Sequence, residues 1–309
     1  MDHIVDIATD GMHLSSHRGF LIVARDREEV GRVALDDVHA VIVHAHGCTW
    51  SGNIVAALAD RGAPIVFCGR NHSPVAVTLP LEGHHAQGAR IRAQWDAGRP
   101  LAKQLWRRVI IAKIAMQGSL LAARGTPEAG AFPLLARKVR SGDPDNLEAQ
   151  AARRYWPALM GADFRRDRDA EGANALLNYG YAVMRATVAR AVIAAGLHPT
   201  IGIHHSNRGN AFALADDLVE PFRPLVDALV IGMTAGQDGI ALDPVLKRRF
   251  ARLIAFDLRL GGETSPVSIA AQRLAQSLAR SFETGTVDLA IFAPPTPTEW
   301  TALCGGGWE

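Results

Sequence analysis

Residues 201–224, IGIHHSNRGNAFALADDLVEPFRP, crowd two histidines, three acids and two arginines among regularly spaced apolar residues. Ile201, Gly202 and Ile203 read as a brief extended run, and a helix is expected from about Ala211. In extended backbone His204 and His205 point to opposite sides. On the helix, Asp217 and Glu220 are three apart and Asp216 and Glu220 four apart, so these carboxylates share a face. Leu214, Leu218 and Phe222 supply its apolar stripe. On a solvated face like charges at this spacing repel by only a few tenths of a kcal/mol, roughly. On a packed face the cost is serious unless a cation neutralises them. A divalent metal would do this, with His205 at the mouth of the helix as a further ligand. The competing reading has Asp216 and Asp217 capping or decorating a surface helix and His205 packed in a loop.

A second acid, Glu148, follows the turn-rich SGDPDN and falls in the first turn of a helix, where it also suits the positive helix end. Arg153, Arg154, Tyr155 and Trp156 come next on that helix. Cations beside aromatics suit phosphates and stacked bases, but Tyr155 and Trp156 are first of all core or interface residues. The VHAHGC stretch sets His44, His46 and Cys48 at alternate positions, with Cys68 on a possible neighbouring strand. It lacks the close cysteine pairs of common zinc sites, and GCTWSG has no base to activate its thiol. Neither is taken as a site.

The elements that must position these groups divide the chain. HIVDIA, FLIVAR, GRVAL, AVIVHA, APIVFC and VAVTL are short, β-branched and separated by turn residues. One helical insert, SGNIVAALADRG, starts at Ser51 and stops at Gly62. Residues 1–80 are therefore expected to form a β-sandwich-like domain, because helical crossovers are missing. Residues 81–90, with His84 and His85, are expected to link it to an all-helical domain over 91–292. There LAKQLWRRVIIAKIAMQGSLLAARG and five further segments carry a helical period. Residues 293–309 have the Pro/Gly content of an extended or disordered tail. The fold class is α+β. A start bearing acids argues against a secretory signal, and three cysteines against a disulfide framework, so a reducing cytoplasm fits best. Net charge is only +2, yet residues 86–170 hold sixteen Lys/Arg against eight Asp/Glu. That asymmetry is what a phosphate-binding face leaves, or simply a solvated helical face.

NLEAQAARRYW together with GLHPTIGIHHSNRGNAFALADDLVEPFRP resembles the signature of the CRISPR adaptation integrase family, which inserts new spacers into a CRISPR array. KQLWRRVIIAKIAMQ, LNYGYAVMRATVARAVIAAGLHP and LPLEGHHAQ resemble its type II branch, found beside an RNA-guided effector nuclease. The resemblance reaches to about residue 290. It implies a catalytic metal set of Glu148, His205 and Glu220, with Asp217 as a further acid of the motif that supports the site or binds metal. His204 is a possible orienting residue. It also implies a β-sandwich followed by a helical domain, a homodimer, double-stranded DNA as substrate, and a small ferredoxin-like adaptation partner bridging two dimers. The effector nuclease is a further candidate partner.

The chemistry so implied is attack of a DNA 3′-hydroxyl on a repeat phosphodiester, needing charge neutralisation and in-line geometry rather than a nucleophilic Ser or Cys. The cofactor is Mg2+ or Mn2+, with tighter binding of Mn2+ expected because imidazole is one of the ligands. Arg90, Lys103, Arg107, Arg108, Lys113, Arg137, Lys138, Arg140, Arg165 and Arg166 are candidate phosphate contacts, about half of them expected to be plain surface charges. Arg223 is expected to pair with a neighbouring acid. Two other readings stand beside this one: a hydrolytic nuclease acting on branched DNA with water as nucleophile, and a non-catalytic scaffold presenting DNA.

Overall fold

The computed structural model describes residues 3–69, 74–78, 80, 83–167, 169–235, 240 and 242–305. The first part holds strands β1 (His3–Ile7), β2 (Met12–His17), β3 (Phe20–Arg25), β4 (Glu28–Ala34), β5 (Val38–Val43) and β6 (Thr49–Trp50). Helix α1 (Gly52–Ala59), β7 (Ile65–Cys68) and β8 (Pro74–Thr78) complete it. They build two four-stranded sheets, in the orders β1-β5-β7-β8 and β4-β3-β2-β6. Leu14, Leu21, Val41 and Val43 meet Ile54 and Leu58 of α1 in the core between the sheets. The six strands read from the sequence are present. Two more, β2 and β6, escape that reading because MHLSSH and TW lack a β-branched run.

The pairing is more mixed than a sandwich of hairpins. β1, β5 and β7 run parallel, and α1 lies in the crossover from β5 to β7. This explains why every residue of β5 is buried, as in a strand covered on both faces. Val41 and Val43 face the other sheet, whereas Ala40 and Ile42 join the core of the helical half. Arg190, from that half, donates to the carbonyls of His39 (3.1 Å) and Arg61 (3.3 Å) and ties the seam.

The helical half contains α2 (Gln87–Asp96), α3 (Arg99–Ala123), α4 (Phe132–Lys138), α5 (Leu147–Met160) and α6 (Ala173–Ala194). After these come α7 (Ala213–Val219), α8 (Arg223–Thr234), α9 (Pro244–Arg252), α10 (Val267–Thr284) and α11 (Pro297–Gly305). The stretch expected as a linker over 81–90 enters α2 at Gln87; residues 81 and 82 lie outside the described residues. One short hairpin interrupts the helices. LKRRFARLIAFDL, expected as helix, ends in β9 (Asp257–Leu260), which pairs with β10 (Glu263–Pro266) through Gly261–Gly262, both at positive φ. No helix among the described residues is long and apolar enough to cross a membrane.

The expected C-terminal tail is corrected over its described part. Thr296 and Glu299 form a reciprocal capping box: the Thr296 N–H donates to Glu299 at 2.5 Å and the Glu299 N–H to the Thr296 hydroxyl at 3.3 Å. Pro297 then takes the first helical position, where its missing N–H costs nothing. Trp300 and Leu303 of α11 are fully buried, and the Trp300 indole donates to Ser119 of α3 at 2.9 Å. Gly232 of α8 lies so close to the Cys304 carbonyl that a Cβ there would clash. Composition hides this helix behind its prolines. Trp300→Ala is expected to destabilise the fold by about 3–5 kcal/mol in urea unfolding. A loss under about 1 kcal/mol would return α11 to the status of a dispensable tail.

Candidate active site

The acids singled out in the sequence lie where α3, α5, α7 and α8 converge. Glu148 is the second residue of α5, and the SGDPDN turn places it there. Asp143 and Asn146 adopt left-handed backbone, at φ 48° and 50°. The Asp143 carboxylate accepts from the N–H groups of Leu147 (2.9 Å) and Glu148 (3.0 Å), and the Asn146 side chain from Ala149 (3.2 Å). The first turn is thereby satisfied. Glu148 is free to point toward α3.

The helix expected through residues 211–236 breaks at Glu220. A short 3-10 turn, Glu220–Phe222, separates α7 from α8, because Pro221 and Pro224 cannot donate backbone hydrogen bonds. Glu220 is buried at the break. Its Oε1 accepts from Arg223 Nε at 2.8 Å, the pairing expected for Arg223. Its Oε2 lies 2.5 Å from the Lys113 ammonium, and the same ammonium donates to Glu148 Oε1 at 2.6 Å. Lys113, only 8% exposed, is thus a buried bridge between two carboxylates rather than a surface cation for DNA. Glu220 Oε2 is thereby held in a close, buried ion pair with Lys113. Burial pushes the Glu220 carboxyl up, but Arg223 and Lys113 outweigh it and hold it down at about 2. Burial likewise opposes the charge on Lys113, and Glu220 and Glu148 restore it, leaving its pKa raised.

Asp217 is fully buried and organises the histidine loop. It accepts from the N–H groups of Ile203 (2.7 Å), His204 (3.0 Å) and His205 (3.1 Å), and meets His205 Nδ1 at 2.6 Å. Gathering three consecutive N–H groups bends the chain. The extended run expected here is not formed, and the two histidines do not point to opposite sides. His204 stacks flat on Trp106 of α3 (4.1 Å, 1°), while His205 meets the same indole edge-on (5.9 Å, 84°). Gly202 is required by close approach, since a Cβ would sit 2.5 Å from the His205 carbonyl and 2.8 Å from Asp217. With Nδ1 engaged by Asp217, Nε2 of His205 is the nitrogen left to ligate. The bond to Asp217 raises the pKa of His205, against the opposing effect of partial burial.

Further residues hold these parts and are not legible as such in the sequence. Gln94 of α2, buried, donates to the carbonyls of His198 (3.0 Å) and Ile201 (2.7 Å) and accepts from His198 N–H (2.8 Å), pinning the loop from 104 residues away. Asp216 turns from the acids and pairs with Arg185 at 2.6 Å. Behind Arg223, whose guanidinium lies over Tyr181 (4.5 Å), the buried Asp227 accepts from the hydroxyls of Tyr155 (2.8 Å) and Tyr181. Burial raises the Asp227 carboxyl to about 6 despite these bonds. Tyr155, the core residue it is expected to be, shares its helix face with Glu148, seven residues earlier.

Beside His205 opens a polar cleft of about 550 Å3, lined by Arg166, Arg185 and Arg223 with Asn178, Asn207 and Asn210. Of the expected DNA contacts, Arg166 lines it, bonded to Asn174 (2.8 Å) and Asn178 (2.6 Å). Lys103, Arg108, Arg137, Lys138 and Arg165 are exposed. Arg90 instead pairs with Glu283 (2.8 Å), Arg107 donates to the Val139 carbonyl (2.7 Å), and Arg140 is held by Asp145 through two bonds.

Among the described residues no three His, Cys, Asp or Glu side chains gather closely enough to hold one ion. The donor chemistry nonetheless fits a divalent cation: two carboxylates converge on one positive group, and an imidazole oriented by Asp217 lines the adjoining cleft.

The bond from Asp217 makes a titration prediction. Because the folded-state pKa of His205 is raised, its pairing adds stability that is fully present below the ordinary value of 6.5 and fades as pH rises through the folded value. Asp217→Asn is expected to bring the His205 titration, followed by NMR, down toward that ordinary value. An unmoved titration would remove Asp217 as the cause.

Comparison with known proteins shows the family and the fold. The family described as "CRISPR associated protein Cas1" matches residues 5–238. A "CRISPR-associated endonuclease Cas1" of Neisseria meningitidis is 33% identical over 281 residues, covering 90% of each chain. A Cas1 endonuclease of Pyrobaculum aerophilum is 31% identical over 79% of this chain and 86% of its own. Among solved structures, a casposase bound to integration product superposes with a TM-score of 0.78 at 19% identity, covering 94% of this chain and 93% of its own. A Cas1 protein from Thermotoga maritima gives 0.74 at 17% identity, covering 93% and 98%. The chain belongs to the Cas1 family of CRISPR-associated proteins.

Proposed function

We propose that this protein is a metal-dependent DNA integrase that inserts short foreign DNA fragments into a CRISPR array. The observation that carries the reading is the convergence of Glu148 and Glu220 on one cationic seat, with Asp217-oriented His205 in the adjoining arginine-lined cleft. The relatives named as Cas1 endonucleases support nuclease chemistry, and the Neisseria relative at 33% identity supports the type II branch. The fold is shared with a casposase bound to integration product.

In the joining step a DNA 3′-hydroxyl oxygen bonds to phosphorus of the repeat while the bond from phosphorus to the departing strand's 3′ oxygen breaks. One proton leaves the attacking hydroxyl and one is taken up by the departing oxygen, with no covalent protein intermediate. Glu148, His205 and Glu220 would hold Mg2+ or Mn2+, which when bound supplies polarisation of the phosphate and a lowered pKa for the attacking hydroxyl. Asp217 fixes the imidazole so that Nε2 is the available atom. Arg223 keeps Glu220 ionised, and Arg166, Arg185 and Arg223 offer donors to phosphate along the cleft. The reading includes double-stranded DNA as prespacer and repeat, a homodimer, and a small ferredoxin-like protein bridging two dimers. A fold shared with a Cas6-RT-Cas1–Cas2 complex (TM-score 0.73, 20% identity, 92% of this chain and 35% of that one) is compatible with such an assembly.

Glu220→Ala would leave a cavity and take away both oxygens that Arg223 and Lys113 contact, whereas Glu220→Gln keeps the volume and one acceptor oxygen while losing the charge, so it is the informative variant. With a labelled duplex, a supercoiled repeat-bearing plasmid, the partner protein and Mn2+, joining is expected to fall at least about 100-fold in Glu220→Gln with folding retained. Joining at the parental rate would refute the site. Cutting without joining would favour the hydrolytic nuclease, and tight binding without chemistry the scaffold. Replacing exposed Arg108, Arg137 and Lys138 together is expected to flatten the salt dependence of DNA binding, by about 0.9 in log–log slope for each phosphate no longer neutralised. An unchanged slope would take all three off the interface.

A further inference from the structure

Lys113 sits between the two carboxylates of the site and has no part in the chemistry proposed for it. It comes from the middle of α3, whereas the carboxylates it bridges come from α5 and from the break between α7 and α8. Its ammonium lies at hydrogen-bonding distance from Glu148 and in ion-pair contact with Glu220, in a largely buried place. A lysine carries a compact point charge, unlike the planar fork of arginine, so it occupies much the same kind of space as a metal ion. Hard carboxylate oxygens are the ligands a divalent ion takes, and the Glu148 and Glu220 oxygens that face the ammonium are 2.6 and 2.5 Å from it. One seat between two carboxylates cannot hold both an ammonium and a divalent ion in contact, because the cations repel strongly in a poorly screened interior.

We propose that Lys113 is the internal counter-ion of this site: it holds Glu148 and Glu220 together before metal arrives, and a divalent ion must displace it. Metal loading is then an exchange of one cation for another. This rests on the reading that Glu148, Glu220 and His205 hold the metal. The ammonium accounts for two features at once. It lets the buried Glu220 and the half-buried Glu148 face each other, and it fills the space between them that an ion would need.

The test uses Mn2+ alone, without DNA, on the full chain. Calorimetric titration of Lys113→Met is expected to give a Mn2+ affinity at least about 10-fold tighter than the parent, since no resident cation has to leave. Its melting temperature is expected to lie below the parent's in chelator and to gain more on Mn2+ saturation. Unchanged or weaker affinity would overturn the exchange. Lys113→Gln serves if the methionine variant does not fold. The parent provides an independent measurement, because the chain has four lysines, Lys103, Lys113, Lys138 and Lys247. In 13Cε-lysine-labelled protein, Mg2+ should move the Lys113 signal, assigned with Lys113→Arg, and leave Lys103 and Lys138 in place. A Lys113 signal unmoved by saturating Mg2+ would overturn the proposal while leaving the metal reading intact. Absence of Mn2+ binding to parent and variants alike would sink both.

Discussion

Two carboxylates packed against a helical core need positive charge within contact distance, or the desolvation cost of several kcal/mol per ion drives them to protonate or the helices apart. Lys113 and Arg223 meet that need from opposite sides of Glu220, and Lys113 extends the compensation to Glu148. The rest of the helical half is arranged around this constraint. α3 brings the ammonium, α5 is capped so that Glu148 can face it, and two prolines break the α7–α8 path so that Glu220 sits at the corner. Behind this first ring a second polar layer closes: Arg223 lies over Tyr181, Tyr181 and Tyr155 donate to Asp227, and Tyr155 returns to the helix that carries Glu148. Four elements are held in register by polar contacts that an apolar core could not specify so narrowly.

Asp217 plays the corresponding part for the histidines. A single buried carboxylate that accepts three backbone N–H groups fixes a loop more firmly than side-chain packing would, because each bond sets a peptide plane. The same carboxylate sets the imidazole of His205. Loop conformation and ligand orientation therefore stand or fall together. Trp106 adds a flat floor under both rings.

Much of this is legible in the sequence and some is not, for physical reasons. The order of strands before helices follows from period and β-branching, and Glu148, His205 and Glu220 are named by motif. The pairing of Arg223 with an acid follows from one helical turn of separation. Partners distant along the chain are another matter. Nothing local says that Lys113 bridges acids 35 and 107 residues later, or that Gln94 clamps a loop beyond residue 197, since only the fold brings them together. The C-terminus is the opposite case. There a local signal is present, Thr296-Pro297-Thr298-Glu299, but its proline count suggests disorder where its spacing spells a capping box.

The single helix α3 carries Trp106 under the histidines, Lys113 between the acids and Ser119 against the indole of α11. Between Trp106 and Lys113 it touches both the histidine loop and the paired acids. A saturation mutagenesis screen scored only by activity would therefore paint a continuous stripe along α3. Most of that stripe would record misaligned ligands rather than missing DNA contacts. Sorting the two requires abundance to be scored beside activity for every substitution, and the helix most depleted in tolerated changes would be an unreliable map of where the substrate lies.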